Sequence, residues 1–100
     1  MIFFTQLVYV KKGKEDTFEE FESVAIPLIQ KHNGRLLLCL RPSSSSIVET
    51  LIEHPYEMHF GEFETEEDFE NFLNDDERQK ILKLKEESIE YSFVVKGEKL

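Results

Sequence analysis

The stretch 55–73, PYEMHFGEFETEEDFENFL, predicts a strand that leads directly into a helix. Residues 56–63 alternate with the period of two that is typical of a strand. This alternation assigns the side chains to two faces: Tyr56, Met58, Phe60 and Glu62 on one, and Glu57, His59, Gly61 and Phe63 on the other. Both faces mix polar and apolar residues, so the pattern alone does not say which face is buried.

The helix is predicted to begin at Thr65. This threonine lies three residues before Asp68, a spacing at which the hydroxyl accepts a free backbone N–H and the acid reaches back. An apolar stripe at helical spacing follows, consisting of Phe69, Phe72 and Leu73. The strand and the helix therefore have to pack on a common core.

The remaining elements follow from the same periodicities. Asp16 or Thr17 should cap a first helix that carries Pro27 on its solvent side and ends at Asn33 and Gly34. Residues 47–52 suggest an exposed strand arm, and 77–87 a helical segment after a break at 74–76. The other strands are predicted at 2–10, 35–41 and 89–95. The order β-α-β-β-α-β predicts one ferredoxin-like α+β domain over residues 1–100, with both helices on one face of an antiparallel sheet.

Two of the strands are apolar on both faces. Strand 2–10, IFFTQLVYV, is interrupted only by Thr5 and Gln6. In strand 35–41, Leu36, Leu38 and Leu40 should share one face, with Leu37 and Cys39 on the other. Because two helices cover only one face of the sheet, something else must cover the second face, and we expect a second copy of the chain.

Composition restricts the classes of partner and the compartment. A net charge of −9 disfavours nucleic acids and anionic membranes, which need a basic surface. Cys39 is the only cysteine, no basic residue precedes the short apolar run 2–10, and no run approaches the roughly 18 residues of a membrane span. We therefore predict a cytoplasmic protein. A chain of 100 residues also leaves little room for a ligand cavity within one subunit, although a second subunit could supply the missing wall.

The segments PLIQKHNGRLLLCLRP (27–42) and PYEMHFGEFETEEDFENFLNDDERQKILKLKEESI (55–89) resemble the dimeric α+β-barrel superfamily. That superfamily includes antibiotic-biosynthesis monooxygenases, muconolactone isomerases and haem-degrading monooxygenases, and the resemblance is strongest to one of its uncharacterised small-domain families. The resemblance implies two ferredoxin-like sheets facing one another in a homodimer. The haem-degrading members use a tryptophan that this chain lacks, so no cofactor is predicted.

His59 is the first candidate for chemistry. Glu57, two residues away on the same strand face, could orient its ring or raise its pKa. The alternative is a histidine that bonds a backbone carbonyl or packs against Gly61. Arg41 could bind a carboxylate in a bidentate manner, or form an ion pair with Glu57 or Glu62.

Other polar residues of the strands are candidates for ligand binding. Gln6 needs a hydrogen-bond partner inside an apolar strand, which could be a ligand, the partner subunit or another buried side chain. Tyr9 and Tyr91 could line a pocket or belong to the core. Cys39 is interpreted as an inert core residue, and no motif for a metal, a nucleotide or a hydrolase is present.

Two functions are consistent with these residues. The first is binding of a small, mainly hydrophobic organic molecule in a cleft by the sheet or at the dimer seam. The alternative is a cofactor-independent monooxygenase or isomerase, with His59 as acid or base and Arg41 or Gln6 at an oxyanion. A His59 that lines a cleft and pairs with Glu57 favours the enzyme, and a His59 sealed under the helices favours the binding module.

Overall fold

The computed structural model describes residues 1–100. The strands are β1 (Ile2–Val10), β2 (Gly34–Leu40), β3 (Glu57–Phe63) and β4 (Ile89–Glu98). The helices are α1 (Glu15–Lys31), α2 (Glu66–Leu73), α3 (Asp76–Lys80) and α4 (Leu82–Ser88). All neighbouring strands are antiparallel, in the order β2-β3-β1-β4. The predicted β-α-β-β-α-β arrangement and the central position of β1 are confirmed.

The helices cover one face of the sheet, and the core lies beneath them. Phe63 is fully buried and packs with Phe4 and Ile29 at its centre. Gly61 of β3 leaves the space that the ring of Phe4 occupies, since a Cβ there would lie 2.4 Å from Phe4 Cζ. The helix-facing side of β3 carries Glu57, His59, Gly61 and Phe63, as the alternation predicts.

The helix termini agree only in part with expectation. Thr65 caps α2, because its Oγ1 accepts the N–H of Asp68 at 3.1 Å. The prediction that Asp16 or Thr17 caps α1 is wrong: the helix begins at Glu15. The Glu15 carboxylate instead accepts the backbone N–H of Gly13 at 2.9 Å, and Gly13 has the positive φ of 87° that allows this tight turn.

The predicted shared face of Leu36, Leu38 and Leu40 is also wrong. The pairing of β2 with β3 shifts between Leu36 and Leu38, which is the mark of a β-bulge. Leu36 pairs opposite Gly61 on the helix-covered face, whereas Leu38 and Leu40 pair opposite residues of the outer face. Because the extra residue reverses the alternation, Cys39 is opposite His59.

No strand forms at 47–52, contrary to the prediction. Three serines form a 3₁₀ turn (Ser44–Ser46), and the following segment is irregular. Thr50 Oγ1 both accepts the Ile52 N–H at 3.0 Å and donates to the Ile52 carbonyl at 2.9 Å. Such local side-chain bonds compete with a strand ladder, and Val48 remains 99% exposed.

The predicted helical segment 77–87 is two helices. The break before it is confirmed, and Asp75 caps α3 by accepting the N–H of Glu77 at 2.8 Å. α3 and α4 meet at Ile81, whose φ of −111° is not helical. Pro27 is exposed within α1, on the solvent side as predicted.

The outer face of the sheet is apolar and uncovered. Pairing of the strands brings together Phe3, Leu7, Leu38, Leu40, Met58, Phe60, Phe93 and Val95 on this face. Phe93 is 55% exposed, and Phe3 stacks on Phe60 with 5.8 Å between ring centroids. None of the helices has the length and apolarity required to cross a bilayer.

Candidate functional site

A cavity of about 120 Å³ lies between the helix-covered face of the sheet and the helices. Fourteen of its nineteen lining residues are hydrophobic. The polar lining residues are Gln6, Glu22, His59, Arg78 and Lys85. The cavity lies within one subunit and is small, in line with the expectation that a chain of 100 residues leaves little room for one.

His59 is at the centre of the polar part of the cavity. Strand pairing places it between Gln6 of β1 and Cys39 of β2, and α1 closes over it with Glu22. Its Nδ1 donates to Gln6 Oε1 at 3.1 Å, since an amide oxygen only accepts. Its Nε2 lies 2.5 Å from Glu57 Oε2 and 3.0 Å from Glu22 Oε2. The histidine is 8% exposed.

The contacts of His59 determine its charge. Burial by itself would lower the pKa of the imidazole, but its contacts with the carboxylates of Glu22 and Glu57 outweigh burial and raise the pKa to about 9. The ring is therefore an imidazolium at neutral pH, with both nitrogens donating. Of the alternatives offered for His59, the pairing with Glu57 is the one that the structure contains, and its raised pKa stays a prediction.

Glu57 is held in its ionised form by two cations. Burial would raise its pKa, but His59, Glu22 and Arg41 together lower it to about 2. Arg41 Nε donates to Glu57 Oε1 at 2.8 Å, and its Nη1 donates to Glu19 Oε1 at 2.6 Å. Of the two interpretations of Arg41, the ion pair with Glu57 is the one that the structure contains.

Glu22 is the one carboxylate of the group that is poised to titrate. Burial raises its pKa to about 7, and the nearby Glu57 charge adds to this while His59 opposes it. Its Oε2 is buried and, despite the 3.0 Å contact with Nε2, has no hydrogen bond with good geometry. A single N–H cannot point at two acceptors, and the closer acceptor is Glu57. Two carboxylates with widely separated pKa values are a common arrangement in acid–base sites.

The sequence analysis did not identify Glu22 as a site residue, although its position on the apolar side of a helix is a signal. It lies within the apolar side of α1, between Phe21 and Ala25 and four residues after Phe18. An acid in such a stripe needs a buried partner. The partner, His59, is on another element and thirty-seven positions away, so the stripe alone does not identify it.

Arg78 and Lys85 form a second polar part of the cavity, which the sequence analysis also missed. Arg78 is buried, and its Nη1 donates to the Leu73 carbonyl at 3.2 Å. Its guanidinium carbon lies 5.2 Å from the ring centroid of Phe72 and 5.9 Å from that of Phe21. Lys85 lines the same cavity from α4.

The remaining predicted residues lie elsewhere. Tyr9 and Tyr91 pair on the outer face and stack with 4.3 Å between ring centroids. The Tyr9 hydroxyl donates to the Glu53 carbonyl at 2.8 Å. The structure thus unites Gln6, Glu57, His59 and Arg41 in one network, and does not bring the two tyrosines to the cavity.

Cys39, Glu57 and His59 are the group that could hold a metal ion. Ligand atoms of these three residues lie within 4.8 Å of one another. A cation would have to displace the proton of His59 and compete with Arg41 for Glu57. Cys39 is exposed on the edge strand and is not the core residue that was expected. Burial of its sulfur, together with Glu57 and Glu22, nevertheless raises the thiol pKa to about 11, which disfavours the reactive thiolate.

Comparison with known proteins identifies solved structures with the same fold. No family model matches the chain, and no curated protein is similar to it in sequence. A protein of unknown function from Rhodopseudomonas palustris superposes with a TM-score of 0.82 at 13% identity, covering 99% of this chain and 82% of that one. A candidate antibiotic biosynthesis monooxygenase from Nitrosomonas europaea gives a TM-score of 0.75 at 13% identity, with 100% and 99% covered. A dimeric protein of unknown function with a ferredoxin-like fold, from Bacteroides fragilis, has a TM-score of 0.68 at 15% identity. The match covers 97% of this chain and 94% of that one. These likenesses confirm the ferredoxin-like α+β fold.

Proposed function

We propose that this protein is a homodimer that binds a small, mainly apolar organic molecule in the cavity between sheet and helices. The observation that carries the proposal is the lining of the cavity, with fourteen hydrophobic residues and a few convergent polar groups. Small-molecule sites typically combine a predominantly apolar wall with a few such groups that orient the ligand. Gln6, Glu22 and His59 would orient a hydroxyl or carbonyl group of the ligand.

The dimer is supported by the outer face of the sheet. A contiguous apolar surface on one face of a sheet is a typical interaction site. The Bacteroides fragilis protein of similar fold is dimeric. A second sheet packed face to face would cover this surface and leave the cavity, which is on the opposite face, within each subunit.

Ligand binding can be tested by filling the cavity. Ala25 lines it from α1, so Ala25→Met should occupy part of its volume. Ser23→Met is the matched control, because Ser23 is on the exposed side of the same helix. Ligand-observed NMR with neutral aromatic compounds such as toluene and indole should detect binding to the wild type and to Ser23→Met. Binding should be lost in Ala25→Met that remains folded by circular dichroism. Equal binding to both variants would contradict a site in this cavity.

A second candidate function is proton transfer without a cofactor, as in an isomerase or monooxygenase. The observation that favours it is Glu22, whose pKa of about 7 and unpaired Oε2 suit a general base beside an imidazolium. Glu22 would take a proton from the carbon next to a carbonyl group, and the C–H electron pair would form an enolate. The side-chain N–H₂ of Gln6, which lines the cavity while the amide oxygen accepts from His59, would donate a hydrogen bond to the enolate oxygen. Return of the proton to a different carbon completes an isomerisation.

Exchange of substrate protons with solvent deuterium tests this step. Wild-type protein should accelerate deuterium incorporation next to the carbonyl group of bound ketones. Glu22→Gln should lower the rate by about 10²–10⁴, the usual contribution of a general base. Glu20→Gln on the exposed side of α1 should not. No acceleration by wild type with any ketone that binds would leave the binding module as the function.

A further inference from the structure

Arg78 is a buried cation without an anionic partner. It is 8% exposed, and its Nε is inaccessible to solvent and has no hydrogen-bond acceptor. Its contacts are one backbone carbonyl and two aromatic rings, and no carboxylate oxygen lies within the 4.0 Å of a salt bridge. Burying a guanidinium with so few acceptors is costly in free energy.

Lys85 brings a second cation to the same cavity without a salt bridge. It is half-buried, and both its burial and the charge of Arg78 lower its pKa. Glu86 opposes this as the weakest of the three influences. Two like charges that face one apolar cavity repel each other, so an anion between them would relieve both the repulsion and the lost solvation.

The nearby acids of the chain have other partners. Asp75 is bound by Lys31 at 3.0 Å and by His32 at 2.7 Å. Glu57 binds Arg41 and His59, and Glu22 is in contact with His59. These three acids are therefore engaged elsewhere, and neither Arg78 nor Lys85 is in any of the salt bridges of the protein.

We infer that the ligand of the cavity is a small monocarboxylate with an apolar body, and that Arg78 and Lys85 bind its carboxylate. This inference rests on the proposed ligand-binding function and specifies its ligand class. Arg78 and Lys85 bring a guanidinium and an ammonium to the lining of the cavity, and the aromatic wall receives the apolar body. On the other polar side of the cavity the charge of His59 is already paired with Glu57, so that side has no free cation for a second carboxylate and a dicarboxylate is disfavoured.

A matched acid and amide test the inference directly. Phenylacetate and phenylacetamide have nearly the same shape and differ in charge. At pH 7 and low salt, NMR titration should show phenylacetate binding at least tenfold more tightly than the amide. Equal affinity would overturn the carboxylate assignment and leave the proposed function standing. If neither compound binds, the assignment is also overturned, and binding of neutral toluene or indole then decides the proposed function separately.

Variants of Arg78 and Lys85 test which charge produces the preference for phenylacetate over phenylacetamide. Lys85→Met keeps an apolar side chain of similar length and should reduce the preference for the acid severalfold. Lys83→Met is the control, because that side chain is 84% exposed on the same helix. Arg78→Lys should retain part of the preference and Arg78→Met should abolish it, with thermal unfolding measured to confirm the fold. A full preference in folded Lys85→Met and Arg78→Met would overturn the inference.

Discussion

Single residues set the charge state of the site. His59 is an imidazolium because Glu57 and Glu22 approach its Nε2 from two directions while Gln6 accepts from Nδ1. These three partners lie on three different elements: Glu57 on β3, Glu22 on α1 and Gln6 on β1. From the sequence, a His59 that pairs with Glu57 at a cleft favours an enzyme, and a His59 sealed under the helices favours a binding module. In the structure both conditions hold, because His59 pairs with Glu57 at a cavity and is also covered by a helix. Its position therefore does not separate enzyme from binding module, and the separation depends on Glu22.

NMR titration of His59 should give a pKa of about 9, above the ordinary 6.5. Replacing Glu57 or Glu22 with glutamine should lower the pKa, because each carboxylate stabilises the imidazolium. A value at or below 6.5 in the wild type would show that burial dominates and that the ion pairs do not form.

The same pKa predicts how stability depends on pH. A histidine whose folded pKa is raised stabilises the protein fully below its unfolded pKa of about 6.5 and ceases to do so as the pH rises through 9. Wild type should therefore lose more thermal stability between pH 6.5 and 9.5 than His59→Asn does. Parallel curves for the two proteins, measured by calorimetry, would contradict this.

At the scale of elements, the close packing of β3 against its neighbours positions the site. Gly61 is two residues after His59, and the ring of Phe4 lies against it. The bulge in β2 turns Cys39 toward His59 and Leu38 to the outer face. Small changes of backbone in these strands would move the histidine relative to α1.

Gly61→Ala should lower the free energy of unfolding by about 1–3 kcal/mol, the usual cost of overpacking. The added Cβ would lie 2.8 Å from the backbone oxygen of Arg35, which cannot rotate away as a side chain can. Gly97→Ala in β4 is the control, because no atom lies within 4 Å of its added Cβ. Chemical denaturation of both variants measures the difference, and equal stability would show that β2 and β3 are more loosely packed.

At the scale of the whole molecule, the two faces of the sheet have different roles. The helix-covered face holds the cavity and its charged residues, and the outer face is apolar with aromatic rings in contact. Dimerisation through the outer face would separate assembly from ligand binding. Changes on one face should then affect the other mainly through stability.

Sedimentation equilibrium at micromolar concentration should give about twice the chain mass of 11.8 kDa. Phe93→Asp on the outer face should dissociate the dimer and lower its melting temperature together, because the exposed sheet has no other cover. Val48→Asp is the control, since Val48 is also an exposed hydrophobic residue but lies outside the sheet. A monomeric wild type would disprove the dimer.

The sequence by itself determined the features that depend on local periodicity. Alternation in β3 predicted that Glu57 and His59 share a face, and the spacing of Thr65 and Asp68 predicted the start of α2. The apolar strands predicted a sheet that is apolar on both faces, as its outer face with Leu38, Phe60 and Phe93 is. These features are readable because side-chain direction repeats every two residues in a strand and capping acts over three residues.

Only the tertiary structure decided which residues complete the site. The bulge in β2, the contact of Glu22 with His59 and the convergence of Arg78 and Lys85 on one cavity join elements far apart in the chain. No local period encodes the register between β2 and β3 or the height of the helices above the sheet. Both depend on long-range packing, of which the contact between the rings of Phe4 and Phe63 is an example. That packing determines how deeply Glu22 and Arg78 are buried. Burial raises the pKa of Glu22 and leaves Arg78 Nε without an acceptor, and both proposals rest on these effects.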